Sequence, residues 1–192
     1  MNNILLIDNY DSFTYNLVHY IEGVFDVKVD VFRNNQISLS EIEKYNTIIL
    51  SPGPGLPKDA GILLNIIKQY ASTKKILGVC LGMQAIGEVF GGKLKNLDNV
   101  YHGVATEIEI VDTSDLLFTN IPKNIHVGRY HSWVIDKDTC STNLKITSVD
   151  ENGQIMSIKH NTYNVYGVQF HPESILTEYG KEIIANFLAI KL

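Results

Sequence analysis

The apolar positions of the chain fall into two kinds of run. Ile4-Leu5-Leu6-Ile7, Thr47-Ile48-Ile49-Leu50 and Ile76-Leu77-Gly78-Val79 are short, nearly unbroken in apolar character, and bounded by polar or turn residues. Runs of this length and kind predict strands buried on both faces. Between them the apolar residues recur at helical spacing. Phe13, Leu17, Tyr20, Ile21 and Val24 follow a loop in which Asp11 or Ser12 supplies the cap, and residues 59–70 are amphipathic again. Residues 27–32 predict a further strand, 38–44 a short helix, and 83–90 another helix. Strands alternating with helices imply an α/β fold with a mainly parallel central sheet flanked by helices.

The second half of the chain has a different rhythm. Strand-like runs at 105–111, 125–130, 145–149, 154–159 and 165–170 follow one another, with turn residues such as Asn152-Gly153 between them. An added antiparallel or mixed section fits this better than further strand-helix-strand units. A last amphipathic stretch, 178–190, predicts a helix docked through Ile183, Ile184, Phe187, Leu188 and Ile190. In open α/β sheets ligands gather at the carboxyl ends of strands, which directs attention to the residues after Leu50, Val79 and Phe170.

Composition narrows the picture. A chain of 192 residues, 45% hydrophobic and 19% charged, is expected to form one compact domain over 1–192. The formal charge of −5, from 16 Lys+Arg against 21 Asp+Glu, argues against nucleic acid as a partner. The segment Met1-Asn2-Asn3-Ile4-Leu5-Leu6-Ile7-Asp8 has neither a basic leader nor a membrane-length apolar run, so the expectation is a cytoplasmic protein with no membrane association. Cys80 and Cys140 are too few for a disulfide framework, and Cys140 lies in a polar loop with no expected role. No metal is expected. His126 and His131 would point to opposite faces of a continuous strand, the other histidines give no ligand spacing, and neither C-x-x-C nor H-E-x-x-H occurs.

Three loops carry candidate chemistry. Gly78-Val79-Cys80-Leu81-Gly82 has the form G-x-C-x-G, a thiol version of the strand-to-helix turn that exposes a nucleophile. Such a turn leaves little room for side chains on either flank, which favours glycine at both positions. It aims the sulfur at the N-terminus of the next helix, where amides and dipole favour a thiolate and the Leu81 N–H is placed for a developing oxyanion. Read alone, a small apolar cysteine at a strand end is the competing account. Ser51-Pro52-Gly53-Pro54-Gly55-Leu56-Pro57 is a stiff loop whose glycines would let backbone amides approach a ligand. No Gly-Lys-Ser/Thr follows, so it is not a phosphate-binding Walker loop, and an ordinary turn is its alternative reading. In His171-Pro172-Glu173-Ser174 a histidine and a carboxylate two residues apart would suit a base and the group that orients it. A strand-end histidine beside a turn-capping glutamate is the alternative there.

In their order along the chain, Ser51-Pro52-Gly53-Pro54-Gly55, the longer block Gly78–Gln84 and the block Gly167–Ser174 resemble the signature of the class I, or triad-type, glutamine amidotransferases. Residues 8–17 and Arg129-Tyr130-His131-Ser132 are similar to the small subunit of anthranilate synthase and to the glutaminase subunit of aminodeoxychorismate synthase. The resemblance implies a flavodoxin-like sheet, Cys80 as nucleophile, His171 as base and acid, and Glu173 as its orienting carboxylate. It further implies an oxyanion hole from the N–H groups of Gly53 and Leu81, and glutamine held by Gly53, Pro54, Gly55, Gln84, Ser132 and Trp133. No cofactor is implied in this subunit. The implied partner is a large chorismate-binding synthase subunit, itself expected to use Mg2+, which takes the ammonia to make anthranilate for tryptophan or aminodeoxychorismate for folate. Met83 and Val104 depart from the family pattern, which more often has histidine and lysine there. Trp133 replaces the commoner leucine. A stand-alone thiol hydrolase of γ-glutamyl amides is the other enzymatic reading, and a regulatory subunit with an inert site would have no need of the intact Cys80, His171 and Glu173.

Overall fold

The computed structural model describes residues 3–24 and 27–191; Met1, Asn2, Phe25, Asp26 and Leu192, which the expected 1–192 domain includes, and the side chain of Val24 lie outside the described residues. The first half runs β1 (Ile4–Asp8), α1 (Thr14–Val24), β2 (Val29–Arg33), α2 (Leu39–Ile42), β3 (Thr47–Leu50), α3 (Leu63–Tyr70), β4 (Lys75–Val79) and α4 (Leu81–Val89). The second half runs β5 (Leu94–Asn96), β6 (Val104–Ile110), β7 (Asn124–Arg129), β8 (Trp133–Ile135), β9 (Leu144–Asp150), β10 (Ile155–His160), β11 (Val165–Val168) and α5 (Gly180–Ala189). One sheet has the order β2-β1-β3-β4-β11-β10-β9-β6-β7, and β5 with β8 makes a separate two-stranded ribbon. β2, β1, β3, β4 and β11 are mutually parallel, whereas β10, β9, β6 and β7 continue antiparallel from β11. The parallel core and the antiparallel extension are as the apolar runs imply.

Side chains of the parallel strands alternate between two cores, because successive residues of a strand face opposite sides of the sheet. Leu6, Ile49, Leu77 and Val79 face one side with Leu17, Ile21, Ile183, Ile184 and Phe187 of α1 and α5. Leu5, Ile7, Ile48, Leu50 and Ile76 face the other with Leu63, Ile66, Ile67, Met83 and Ile86 of α3 and α4. Burying each such side chain contributes about 1.5–3 kcal/mol, so the unbroken apolar runs are explained by two helical layers to cover. Lys75 is a buried exception, and burial lowers its pKa. Its Nζ donates to the carbonyls of Leu188 and Ile190 at 2.9 and 2.8 Å, satisfying the orphan acceptors where α5 ends.

Several boundaries differ from expectation for local reasons. The helix expected over 59–70 is a short 3-10 turn, Pro57–Asp59, followed by α3 from Leu63. Gly61 interrupts it with φ +55, packed so close to Asn34 that a Cβ would lie 2.6 Å from the Asn34 carbonyl oxygen. The helix expected from Met83 begins at Leu81, with Cys80 itself at the N-cap. α5 begins at Gly180 and not at 178, after Tyr179 in the left-handed region. Asp11 lies two residues short of the position next to α1: its carboxylate accepts from the Phe13 N–H at 2.7 Å, in the turn that leads into the helix at Thr14. No helix is long and apolar enough to cross a membrane among the described residues.

Candidate active site

The carboxyl ends of β1, β3, β4 and β11 converge on one pocket of about 490 Å³, lined by Phe13, Gly53, Pro54, Cys80, Tyr130 and His171 among others. Cys80 sits at φ 51, ψ −101, outside the regions a side chain ordinarily allows. Residues held in such conformations cost on the order of 1–3 kcal/mol, and the surroundings must enforce them. Here the Cys80 N–H donates to the Val168 carbonyl at 2.8 Å and its carbonyl accepts the first helical bond from Gln84 at 3.0 Å. The chain therefore turns from strand to helix within one residue. Both flanking glycines are required by close approach. A Cβ on Gly78 would strike the Gly82 carbonyl oxygen at 2.5 Å, and one on Gly82 would strike the Leu50 carbonyl oxygen at the same distance. Leu81, as the first residue of α4, has no intrahelical acceptor for its N–H.

The loop after β3 is locked to the loop after β1. The Asn9 N–H donates to Ser51 Oγ and Asn9 Nδ2 donates to the Ser51 carbonyl, both at 2.8 Å. Asn34 in turn donates to Asn9 Oδ1 at 3.0 Å. Gly53 crosses this junction so tightly that a Cβ would come within 2.5 Å of the Asn9 carbonyl oxygen and 3.0 Å of Leu81 Cδ2. The Gly53 loop and the start of α4 thus form one wall of the pocket.

His171 and Glu173 leave the neighbouring strand end. His171 Nδ1 lies 2.8 Å from Glu173 Oε1, with both side chains almost wholly buried. Phe13 meets the imidazole edge-on at 5.5 Å and Tyr130 packs on it at 4.8 Å. Nε2 is buried beside the Cys80 sulfur and has no other partner among the described residues. Burial opposes a charge on His171, but the Cys80 sulfur and the Glu173 carboxylate outweigh it and raise the pKa from 6.5 to about 10. The imidazole is therefore a proton holder at neutral pH, with Nδ1–H fixed by the carboxylate and Nε2–H turned to the sulfur.

The residues singled out from sequence are not all brought together. Gly53 and Pro54 line the pocket with Cys80 and His171, whereas Gly55, Gln84, Ser132 and Trp133 do not. Gln84 is buried behind Cys80, where Nε2 donates to the Trp133 carbonyl at 2.9 Å and approaches Gln169 Oε1 at 3.3 Å. The Ser132 carbonyl accepts from the Leu97 N–H at 2.7 Å, tying that loop to β5. Met83 is fully buried against Gly167, a packing position, and Val104 is exposed at the start of β6. No group of three or more His, Cys, Asp or Glu residues that could hold a metal occurs among the described residues. Sequence reasoning missed Phe13, Tyr130 and Gln169. Gln169 had a signal, a polar residue set between Val168 and Phe170 at the end of an apolar strand, and it is fully buried.

The family model described as "Glutamine amidotransferase class-I" matches residues 5–191. The chain belongs to this family. Among its relatives, the amidotransferase is 49% identical over 188 residues to anthranilate synthase component 2 of Cyanophora paradoxa, covering 96% of this chain and 97% of that one. It is 42% identical over 187 residues to the aminodeoxychorismate/anthranilate synthase component 2 of Bacillus subtilis, covering 96% and 95%. It is 43% identical over 194 residues to the bifunctional protein TrpGD of Thermotoga maritima, spanning all of this chain but only 33% of that relative's length. Among solved structures, a putative GMP synthase protein from Thermoplasma acidophilum superposes with TM-score 0.87 at 25% identity, covering 98% of the amidotransferase and 92% of that chain. The mainly parallel sheet and its antiparallel extension are thus features of a glutamine amidotransferase fold.

Proposed function

We propose that this chain is the glutaminase subunit of a two-subunit synthase: it hydrolyses L-glutamine to glutamate and ammonia, and a larger chorismate-using subunit consumes the ammonia to make anthranilate. The observation that carries this reading is the strained Cys80 turn beside the buried His171–Glu173 pair, in a chain similar along nearly all its length to an anthranilate synthase component 2. In this reading residues 1–192 act as one cytoplasmic glutaminase domain. Gly53 and Pro54 hold the substrate together with Gly55, Gln84, Ser132 and Trp133, no cofactor is needed in this subunit, and Mg2+ belongs to the partner.

The Cys80 thiolate attacks the side-chain carbonyl carbon of glutamine. The carbonyl oxygen becomes an oxyanion, met by the N–H groups of Leu81 and Gly53. As the tetrahedral intermediate collapses, the C–N bond breaks and His171 Nε2 gives its proton to the leaving nitrogen, releasing ammonia and leaving a glutamyl thioester. The electrostatics of His171 then reverse its role. Once the sulfur is acylated it carries no charge, so one of the influences that raised the His171 pKa is gone while the burial that lowers it remains. The now neutral imidazole takes a proton from water, the hydroxide adds to the thioester, and the thiolate leaves with glutamate as product.

The test is to reconstitute the chain with a large synthase subunit and supply either glutamine or ammonium as nitrogen donor. Cys80→Ala is expected to abolish glutamine-dependent product formation and spare the ammonia-dependent reaction. Glutamine-dependent product from that variant would overturn the assignment. The name of the Bacillus subtilis relative favours a second reading, in which the same ammonia serves aminodeoxychorismate synthesis. Assaying the pair for both products from chorismate separates the two.

A further inference from the structure

The Cys80 sulfur has a second polar neighbour besides His171. Gln169 Nε2 lies 3.5 Å from Sγ, and the residue is fully buried at the end of β11. An amide can present either end to a sulfur, and only the N–H end stabilises a thiolate. Which end faces Cys80 is set by the Trp133 carbonyl, which can only accept, and a buried chain of donors that begins far from the pocket holds that carbonyl in place. The Arg129 guanidinium carries donors and no acceptor, and it is fixed by Asp150 Oδ2 at 2.8 Å, by Gln154 Oε1 at 2.7 Å and by the Tyr101 ring 3.5 Å away. Its Nε–H donates to His131 Nε2 at 3.0 Å, so that nitrogen must accept and the ring proton must sit on Nδ1. Nδ1 then donates to the Trp133 carbonyl at 3.1 Å. The same carbonyl accepts from Gln84 Nε2, which leaves the Gln84 amino group facing Gln169 Oε1. With its oxygen taken as an acceptor, Gln169 has its amino group left for the sulfur.

On the reading of Cys80 as a nucleophile, we propose that Gln169 is a catalytic residue, a fixed N–H donor to the Cys80 thiolate, and that Asp150, Arg129, His131 and Gln84 are positioning residues that keep its amide from turning over. This donor differs in kind from His171. The imidazolium surrenders its proton to ammonia during the cycle, whereas the amide keeps its own. Gln169 therefore supports the thiolate before attack and again when it departs from the thioester, at a moment when His171 has just acted as base. A flipped amide would set a carbonyl oxygen against the anion and disfavour both steps.

The experiment is the pH dependence of Cys80 alkylation by iodoacetamide in a Cys140→Ser background, which needs neither glutamine nor a partner. Gln169→Met keeps the volume and removes the donor, and its rate profile is expected to shift upward by about one pH unit, with roughly tenfold slower alkylation on the rising limb of the parent profile. Gln84→Met, which leaves Gln169 in place but unanchored, is expected to shift the profile in the same direction by less. A folded Gln169→Met variant with the parent profile would overturn the proposal. A reading that needs no variant guards against misfolding: the Gln169 side-chain amide protons of the parent protein should titrate in the NMR spectrum with the midpoint of the alkylation profile, and resonances that ignore it would equally overturn the proposal. Failure of the glutaminase reading looks different, since the alkylation shifts would then persist in a protein that does not hydrolyse glutamine.

Discussion

His131 should make this protein acid-sensitive, and the size of the effect follows from its surroundings. Its pKa is lowered from 6.5 to about 3: burial disfavours the imidazolium, the Arg129 guanidinium at its Nε2 adds to that, the Trp133 carbonyl opposes them, and the charge on His171 makes the smallest addition. The folded state thus keeps His131 neutral where the unfolded chain protonates it. Between about pH 3 and 6.5 the unfolded state binds more protons, so the contribution to stability is complete above pH 6.5 and is lost as pH falls. One proton of difference corresponds to a slope approaching 1.4 kcal/mol per pH unit, or roughly 2 kcal/mol lost between pH 6.5 and 5. Asp11, Glu88 and Asp115, all raised by burial, act with the opposite sign in the carboxylate range, so the contrast has to be made against a variant. His131→Gln can still donate to the Trp133 carbonyl and accept from Arg129, but does not titrate in this range. Urea unfolding can be followed by the fluorescence of Trp133, the single tryptophan of the chain. The parent is expected to be the more stable of the two at pH 7.5, with the gap closing at about 1 kcal/mol per unit below pH 6.5. A gap independent of pH between 7.5 and 5 would refute the reasoning, because it would mean that His131 is protonated equally in both states.

Two further outcomes rest on other contacts. Gly82→Ala places a Cβ 2.5 Å from the Leu50 carbonyl oxygen and 2.8 Å from Leu50 Cβ, and is expected to cost about 1–3 kcal/mol in thermal unfolding and to reduce glutaminase turnover at least about tenfold by shifting α4 from the Gly53 loop; unchanged stability and rate would show that the sheet absorbs the methyl. Among inactive variants, Cys80→Gly should be more stable than Cys80→Ala by about 1 kcal/mol in urea titration, because only glycine relieves the strain at φ 51, and equal stability would mean that the turn stores none.

The chain announces its parallel strands and the tight turn at Cys80 because both are local. An unbroken apolar run has no use except between two covered faces, and glycines on either side of Cys80 answer to atoms only a few residues away or on the adjacent strand. The ribbon of β5 and β8 left no such trace, since each strand has three residues and the register, Asn96 with Trp133 and Leu94 with Ile135, depends on chain passing between them. The support behind Cys80 is hidden for the same reason. Arg129 and Asp150 are 21 positions apart and become partners only once β6, β7 and β9 lie side by side. Gln169 and Cys80 are separated by 89. The motif residues could be read as types of chemistry, but the hydrogen bonds that decide their direction are tertiary.

β11 runs parallel to β4 in direct register, Gly167 beside Gly78 and Val168 beside Val79, and is the strand at which the sheet changes sense. The thiol leaves one of these strands and the imidazole the other, so their separation is set by the width of a single backbone ladder, about 4.8 Å from strand to strand. Such a spacing is a ruler built from peptide groups, indifferent to which side chains decorate the rest of the molecule. Loops around the pocket are free to diverge in length and sequence without recalibrating it, and a designer moving this reaction to a new scaffold would need to copy two adjacent parallel strand ends before copying any loop.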